Sequence, residues 1–233
     1  MPKKNAIILC SGGLDSVTTA HYAKNQEYKI IILFFDYQQR NRTQEMKSAQ
    51  QCAKDLKSQF MMIKIPGLVQ LSSSFLHSQK QPRKIKSLKN THEESKSWYV
   101  PCRNLIFLSY ALALGEFLAL KNHQTYDIFL GFKHEGKEYY SDTTPSFLAM
   151  MNKLNTRITV NKGKIKAPLI TKDKEDIITL GHKLKINYEK TYSCYLGRPK
   201  HCGYCVACKL RQAGFYWSGI PDTTKYESKH PIS

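Results

Sequence analysis

The stretch Ala6-Ile7-Ile8-Leu9-Cys10-Ser11-Gly12-Gly13-Leu14-Asp15-Ser16 decides how this chain folds. Its apolar run, Ala6 to Cys10, reads as a buried strand. Ser11-Gly12-Gly13 breaks the run, and Leu14 to about Asn25 then reads as a helix. Adjacent glycines reach backbone angles closed to other residues, so successive N–H groups can turn inward onto an anion. The helix that follows adds its unpaired N–H groups and the positive end of its dipole. Ser11 and Ser16 supply hydroxyl donors, and Asp15 suits a magnesium ion that carries phosphates. Ser11, Gly12, Gly13, Leu14, Asp15 and Ser16 are therefore the expected phosphate grip. It is not a Walker loop, which needs Gly-Lys-Ser/Thr.

Working outward, Lys29 to Asp36 (KIIILFFD) is a second buried strand and Phe60 to Ile65 a third, stopped by Pro66-Gly67. Between them Arg42 to Lys57 is helical, with Met46, Ala49, Ala53 and Leu56 on one face. Residues 68–98 are polar, rich in Ser, Lys and Gln, and weakly periodic, which predicts a lid or mobile insertion. A long apolar helix, Arg103 to Lys121, leads to a fourth strand, Asp127 to Phe132. A helix from Pro145 to about Ile158, a strand from Ile165 to Ile170 and a helix from Lys172 to Lys185 complete the pattern. Buried strands alternating with helices predict an α/β fold with a doubly wound, mostly parallel five-stranded sheet. Ligands in such sheets bind at the carboxyl ends of the strands. The expected organisation is a phosphate-binding α/β domain at 1–186, a small metal-binding subdomain at 187–220 and a tail at 221–233.

The chain has 233 residues, enough to bury a substantial core, and 41% hydrophobic with 23% charged residues marks a globular protein. A net charge of +18 suits either lysine-rich exposed faces or attraction to polyanions. The basic residues are scattered and no nucleic-acid motif accompanies them, so nucleic acid is not an expected partner. The first apolar run is too short for a signal peptide, and no stretch approaches the roughly 20 apolar residues of a membrane span. The cytoplasm, with no membrane partner, is the expected location.

Cys10, Cys52 and Cys102 stand alone, whereas Cys194, Cys202, Cys205 and Cys208 crowd into the spacing C-x7-C-x2-C-x2-C. Tight turns between such thiolates can aim all four at one tetrahedral ion, so zinc is expected, with an iron–sulfur cluster as the competing occupant. Four thiolates close the shell, which makes the expected zinc structural. Lys200, Lys209 and Arg211 would offset its charge, and the neighbouring His201 is read as a bystander.

Ser11 to Ser16 resembles the SGGxDS signature of the PP-loop ATP pyrophosphatases. Within that family, four further stretches, in order, resemble the 7-cyano-7-deazaguanine (preQ0) synthases. They are Phe35-Asp36-Tyr37-Gln38-Gln39-Arg40 with Glu45, and Val100-Pro101-Cys102-Arg103-Asn104. Ala167-Pro168-Leu169 with Lys172 and Lys174 follows, and then Thr191 to Tyr195 with the cysteine segment through Arg211 and Phe215. The resemblance spans residues 6–217. It implies a carbon–nitrogen ligase using ATP and Mg2+, with Zn2+ at the cysteines. ATP would adenylate 7-carboxy-7-deazaguanine, ammonia would give the amide, and a second adenylation would allow dehydration to the nitrile. AMP and pyrophosphate would be released, and a homodimer is implied as well.

On that resemblance Asp15, Arg40 and Arg103 are the expected catalytic residues. Asp36 and Asn104 join the loop at the nucleotide, and Tyr37 and Asp142 are assigned to the substrate. Arg40 and Arg103 suit phosphate or carboxylate because a guanidinium matches both geometries, although a surface charge is the plainer reading of each. One stretch departs from the pattern. Where the family has GYPDCRxxF, this chain has Tyr140-Ser141-Asp142-Thr143-Thr144-Pro145-Ser146-Phe147, with Thr143 and Thr144 in place of Cys and Arg. Lys133 to Glu138 is also unlike the family. A paralogue acting on a related deazapurine or another acid therefore stays open, as do a tRNA-modifying PP-loop enzyme and a non-catalytic nucleotide-binding protein. Cys102, Trp98 and Trp217 are read as packing residues. Most of His21, His77, His92, His123, His134, His182 and His230 are read as surface residues.

Overall fold

In the computed structural model, residues 4–78, 80, 94, 96–133 and 140–228 are described. The three most apolar runs pair side by side at the centre: β1 (Asn5–Leu9) lies between β2 (Lys29–Asp36) and a later strand, Tyr126–Leu130. With β3 (Gln59–Lys64), β4 (Tyr126–Leu130) and β5 (Ile165–Lys166) the sheet has the order β3-β2-β1-β4-β5, and every pairing is parallel. Ile7 stands opposite Ile31 on one side and Ile128 on the other.

Alternate residues of a strand point to opposite faces. Ile8, Ile30, Ile32 and Phe34 pack with α1 (Leu14–Asn25) and α2 (Arg42–Asp55) through Val17, Ala20, Ala49 and Ala53. Ile7, Leu33, Phe35 and Leu130 pack on the other face with α3 (Arg103–Asn122) and α4 (Pro145–Ile158) through Leu108, Ala111 and Met151. The sheet is thus covered on both faces, as a doubly wound fold requires. Two further helices, α5 (Lys174–Lys183) and α6 (Val206–Ser218), pack on each other, with Ile177, Ile178 and Phe215 in one apolar cluster with Leu14. The four clustered cysteines belong to the same apolar cluster as Leu33 and Leu108, so packing continues across residues 186 and 187.

β5 covers Ile165–Lys166 rather than the expected Ile165 to Ile170. Pro168 has no N–H to give the sheet, and the chain turns there, with Ile170 N–H bonded to Ala167 O and Lys172 N–H to Leu169 O. α3 corrects a second expectation. It is 20 residues long and contains an 18-residue window of mean hydropathy 1.4, which by length and composition is enough to cross a membrane. It lies instead against the sheet through Leu108, Ala111, Leu112 and Gly115. Trp98 is buried as expected, but Trp217 is two-thirds exposed and Cys102 is also exposed. The outer face of α3 leaves Tyr110, Phe117 and Leu120 in solvent, beside exposed Ile158 and Val160. Glu116 Oε1 accepts from Val160 N–H, which makes the two sets neighbours. About half of the predicted lid at 68–98, including 81–93, and His92, His134, His230 and Glu135 to Glu138, lie outside the described residues.

Candidate active site

The loop between β1 and α1 is shaped by what surrounds it. Gly12 has φ +78, and a Cβ there would stand 2.6 Å from Glu45 O and from Ser48 Cβ of α2. Only glycine accepts both the left-handed angle and that approach. Gly13 is the N-cap of α1, with extended backbone at φ −74 and ψ 165. Ser16 Oγ donates to Gly13 O at 3.1 Å, lies 3.3 Å from Ser11 Oγ and accepts from Cys10 Sγ at 3.6 Å. From the other side Tyr192 N–H donates to Gly12 O at 2.9 Å. At the end of β4 a Cβ on Gly131 would come within 3.0 Å of Ser16 N, so two strand ends meet at the start of α1.

These loop residues form one wall of a cavity of about 400 Å³ at the carboxyl ends of β1, β2 and β4. Strand order reverses between β1 and β4, the position where doubly wound sheets open a crevice. Arg103 and Asn104, at the start of α3, form a second wall, with Tyr37 and Glu45 nearby. Arg103 Nη1 donates to Tyr37 Oη at 3.4 Å. Burial pushes the Tyr37 hydroxyl up to about 12, which keeps it protonated. The remaining wall is aromatic. Trp98 and Tyr195 lie 4.7 Å apart by ring centroids, and Phe107 and Tyr140 also face the space.

Of the residues expected at the site, Ser11, Gly13, Leu14, Asp15, Ser16, Tyr37, Arg103 and Asn104 line this cavity. Gly12 lies behind the wall and shapes it. Asp36, Arg40 and Asp142 do not line it. Asp36 Oδ1 instead accepts from Gln38 N–H at the turn after β2, and Arg40 Nη1 donates to Lys80 O at 2.7 Å. Asp142 is a tether: the backbone N–H and Nδ2 of Asn104 donate to its two oxygens at 3.3 and 3.1 Å. The departing residues beside it have local tasks. Thr144 Oγ1 caps α4 by accepting from Phe147 N–H, and Thr143 Oγ1 donates to Tyr140 O.

Lys174 received no role from the sequence, yet its Nζ lies 2.7 and 2.8 Å from the two carboxylate oxygens of Asp15. A signal was present. Lysine in the first turn of a helix opposes the dipole, a placement that an anionic partner offsets. Glu45, quoted only as part of a resembling stretch, and Lys133 are further charged residues on the wall that received no role.

The four clustered cysteines are buried, and their sulfurs all lie within 4.8 Å of one another. A tetrahedral ion with bonds of about 2.3 Å sets its sulfurs about 3.8 Å apart, and Cys202 Sγ and Cys208 Sγ are 3.8 Å apart. Backbone N–H groups of Leu196 and Cys202 point at Cys194 Sγ, as suits a thiolate ligand. His201 is a neighbour whose Nε2 accepts from Ser193 N–H at 3.0 Å. Arg211 was expected to balance the cysteines' charge, but its guanidinium is buried and donates to Thr191 Oγ1, Ser193 Oγ, Thr224 Oγ1 and Tyr188 O. It thereby fixes the segment that carries Tyr192 and Tyr195 to the cavity.

A family profile described as queuosine biosynthesis protein QueC matches residues 5–219. The chain is 38% identical over 235 residues to a 7-cyano-7-deazaguanine synthase of Thermoplasma volcanium, covering 99% of this chain and 93% of that protein. It is 35% identical to a protein of the same name from Methanosphaera stadtmanae, covering 97% and 99%. Among solved structures, a 4-thiouridine synthetase in complex with RNA and bound ATP superposes with a TM-score of 0.50 at 14% identity. That match covers 96% of this chain and 47% of the other, and is a likeness of fold.

Proposed function

The chain belongs to the queuosine biosynthesis protein QueC family, and on that premise we propose that it is a 7-cyano-7-deazaguanine synthase. It joins ammonia to 7-carboxy-7-deazaguanine at the expense of ATP and yields the nitrile, AMP and pyrophosphate. The observation that carries this reading is one cavity holding both halves of the chemistry. The Ser11–Ser16 loop with Lys174 suits a triphosphate, and Arg103 with the aromatic wall suits a flat acid.

A carboxylate is a poor electrophile until its oxygen becomes part of a good leaving group. The loop N–H groups, the α1 dipole and Lys174 stabilise charge as pyrophosphate departs. Asp15 is the residue that would hold magnesium, a hard cation that prefers carboxylate oxygen and would supply further neutralisation of the phosphates. Lys174 then exchanges its carboxylate partner for phosphate oxygens. Arg103, braced by Tyr37, orients the substrate carboxylate, and Trp98, Tyr140 and Tyr195 stack on the bicyclic base. No side chain needs to become a covalent nucleophile, so positioning and electrostatics carry the rate.

The cysteine segment, 187–220, is read as a structural zinc subdomain. The sulfur spacing supports one ion, because bridging sulfides of a multi-iron cluster would hold the thiolates farther apart. The exposed apolar face of α3, with Phe117 and Leu120 beside Ile158 and Val160, supports a homodimer. A soluble enzyme of this kind works in the cytoplasm. The test is turnover with ATP, magnesium, ammonium and 7-carboxy-7-deazaguanine, followed by mass. Nitrile with two AMP per turnover is expected. AMP without amide or nitrile would refute the assigned product, and no AMP from zinc-loaded protein would refute the assigned acid.

A further inference from the structure

Ammonia presents this enzyme with a protonation problem. At neutral pH it is almost entirely ammonium, which has no lone pair with which to attack an acyl carbon. A site that uses it must attract a small cation and then remove a proton from it. Lys174 and Arg103 are both cationic and do neither.

Glu45 has the chemistry that is missing. It lies in the first turn of α2 and lines the same cavity as the phosphate loop and Arg103. Gln39 Nε2 donates to Oε2 at 3.0 Å and Asn41 Nδ2 to Oε1 at 3.0 Å. Both donors are neutral amides, so they fix the direction of the carboxylate without cancelling its charge. An ionised carboxylate has about four acceptor sites, and these bonds leave sites for a further donor. Gln39 is in turn fixed by donating to Phe35 O and accepting from Tyr37 N–H, and Asn41 also donates to Cys194 O. The backbone of Glu45 is itself packed against Gly12 of the loop. A carboxylate so braced from α2, β2 and the cysteine segment is held in place beside the phosphate site.

We propose that Glu45 is the proton acceptor for the amine, a catalytic residue that binds ammonium through its carboxylate and delivers ammonia to the activated acyl carbon. This rests on the ligase reading above. In the step, one proton passes from ammonium to Glu45. The nitrogen lone pair forms the C–N bond, the C–O bond to AMP breaks, and its electron pair leaves with AMP. The second proton, from the newly bonded nitrogen, goes to the departing phosphate oxygen or to water. Nothing is oxidised or reduced. The charged and titratable groups facing Glu45 are the Cys10 thiol at the end of β1, the Tyr37 hydroxyl after β2 and the Arg103 guanidinium of α3. Burial pushes Glu45 up to about 7, against Gln39, Arg103 and Asn41, which favour the charged form. A base in that range accepts a proton and returns it to solvent within one turnover.

The test compares wild type with Glu45→Gln using two nucleophiles, ammonium and hydroxylamine, the second being mostly neutral at pH 7. With ammonium the variant should form amide about 100-fold more slowly, the lower end of what a general base contributes. With hydroxylamine it should form the hydroxamate close to the wild-type rate. Undiminished amide formation would overturn the proposal, as would equal losses with both nucleophiles. Wild-type protein alone gives a second readout that does not depend on the variant folding. Once each rate is corrected for the free amine, the ammonium reaction should inflect near neutrality where the hydroxylamine reaction does not, and coincident profiles would overturn the proposal. Failure of the ligase reading is separate: wild type would then give neither amide nor hydroxamate from this acid.

Discussion

Gly12 and Gly13 are adjacent in sequence and should fail in opposite ways when each is replaced by alanine. At Gly12 the new side chain meets two penalties. An L residue held at φ +78 costs about 1–2 kcal/mol. A Cβ at 2.6 Å from Glu45 O and Ser48 Cβ forces α2 or the loop to shift, and overpacking of this kind costs about 1–3 kcal/mol. The sum is about 2–5 kcal/mol, or roughly 4–20 °C in Tm for a chain of this size. Gly13 has an extended backbone, and its Cβ would meet nothing nearer than Ser11 Oγ at 3.3 Å. Gly13→Ala should leave Tm within about 2 °C, because alanine also restricts the unfolded chain. On the proposed reading the added methyl group crowds the phosphate oxygens at the loop, so AMP formation should fall by about 100-fold. Thermal melts and a pyrophosphate-release assay on the two variants decide the matter. A Gly12→Ala protein that melts with wild type, or a Gly13→Ala protein with full turnover, would refute this account of the loop.

Lys174→Ala should lower AMP formation by about 100-fold or more while changing stability by less than about 1 kcal/mol, since its pair with Asp15 is partly exposed. Activity assays and melts on the same preparation check both halves. Cys208→Ser, or a strong chelator, should remove one equivalent of zinc by metal analysis and lower Tm, with activity lost as the segment carrying Tyr192 and Tyr195 loosens. Glu45, pushed by burial up to about 7 from the ordinary carboxyl value near 4.5, binds its proton more tightly folded than unfolded. The stability it contributes is present below about pH 4.5 and is lost as pH rises through 7. Wild type should therefore lose more Tm than Glu45→Gln between pH 5 and pH 7.5, and equal losses would contradict the burial of this carboxyl. Phe117→Asp should shift the mass seen by sedimentation from dimer to monomer if the apolar face of α3 is the interface.

The sheet was readable because β1, β2 and β4 are apolar on both faces, a pattern that outer helices alone can bury. Their helices followed from the same logic, and the two ends of α1 fall where the sequence predicts. β5 was overread because apolar side chains continue to Ile170, whereas strand length also depends on backbone donors that Pro168 lacks. The loop was legible since its residues are contiguous. Arg40, Asp36 and Asp142 were not, because the direction of a side chain after a strand depends on turns the sequence leaves open. Gln38, for one, has φ 63, and this turn separates Tyr37, which faces the cavity, from Arg40, which reaches toward Lys80. Trp217 and Cys102 were misjudged on residue type alone. Both lie at helix ends, where apolar residues more readily face solvent.

The parts that meet at the phosphate loop come from distant stretches of chain. Lys174 and Asp15 are separated by 159 residues, and Asn41 and Cys194 by 153. During synthesis the loop emerges early and Lys174, Tyr192 and the cysteines emerge late, so a nascent chain carries the SGGLDS motif long before it carries a finished site. Contacts of such long range also form slowly, because the closure entropy is lost before the contacts compensate for it. The ribosome therefore releases a chain whose earliest-made functional element is among the last to become competent.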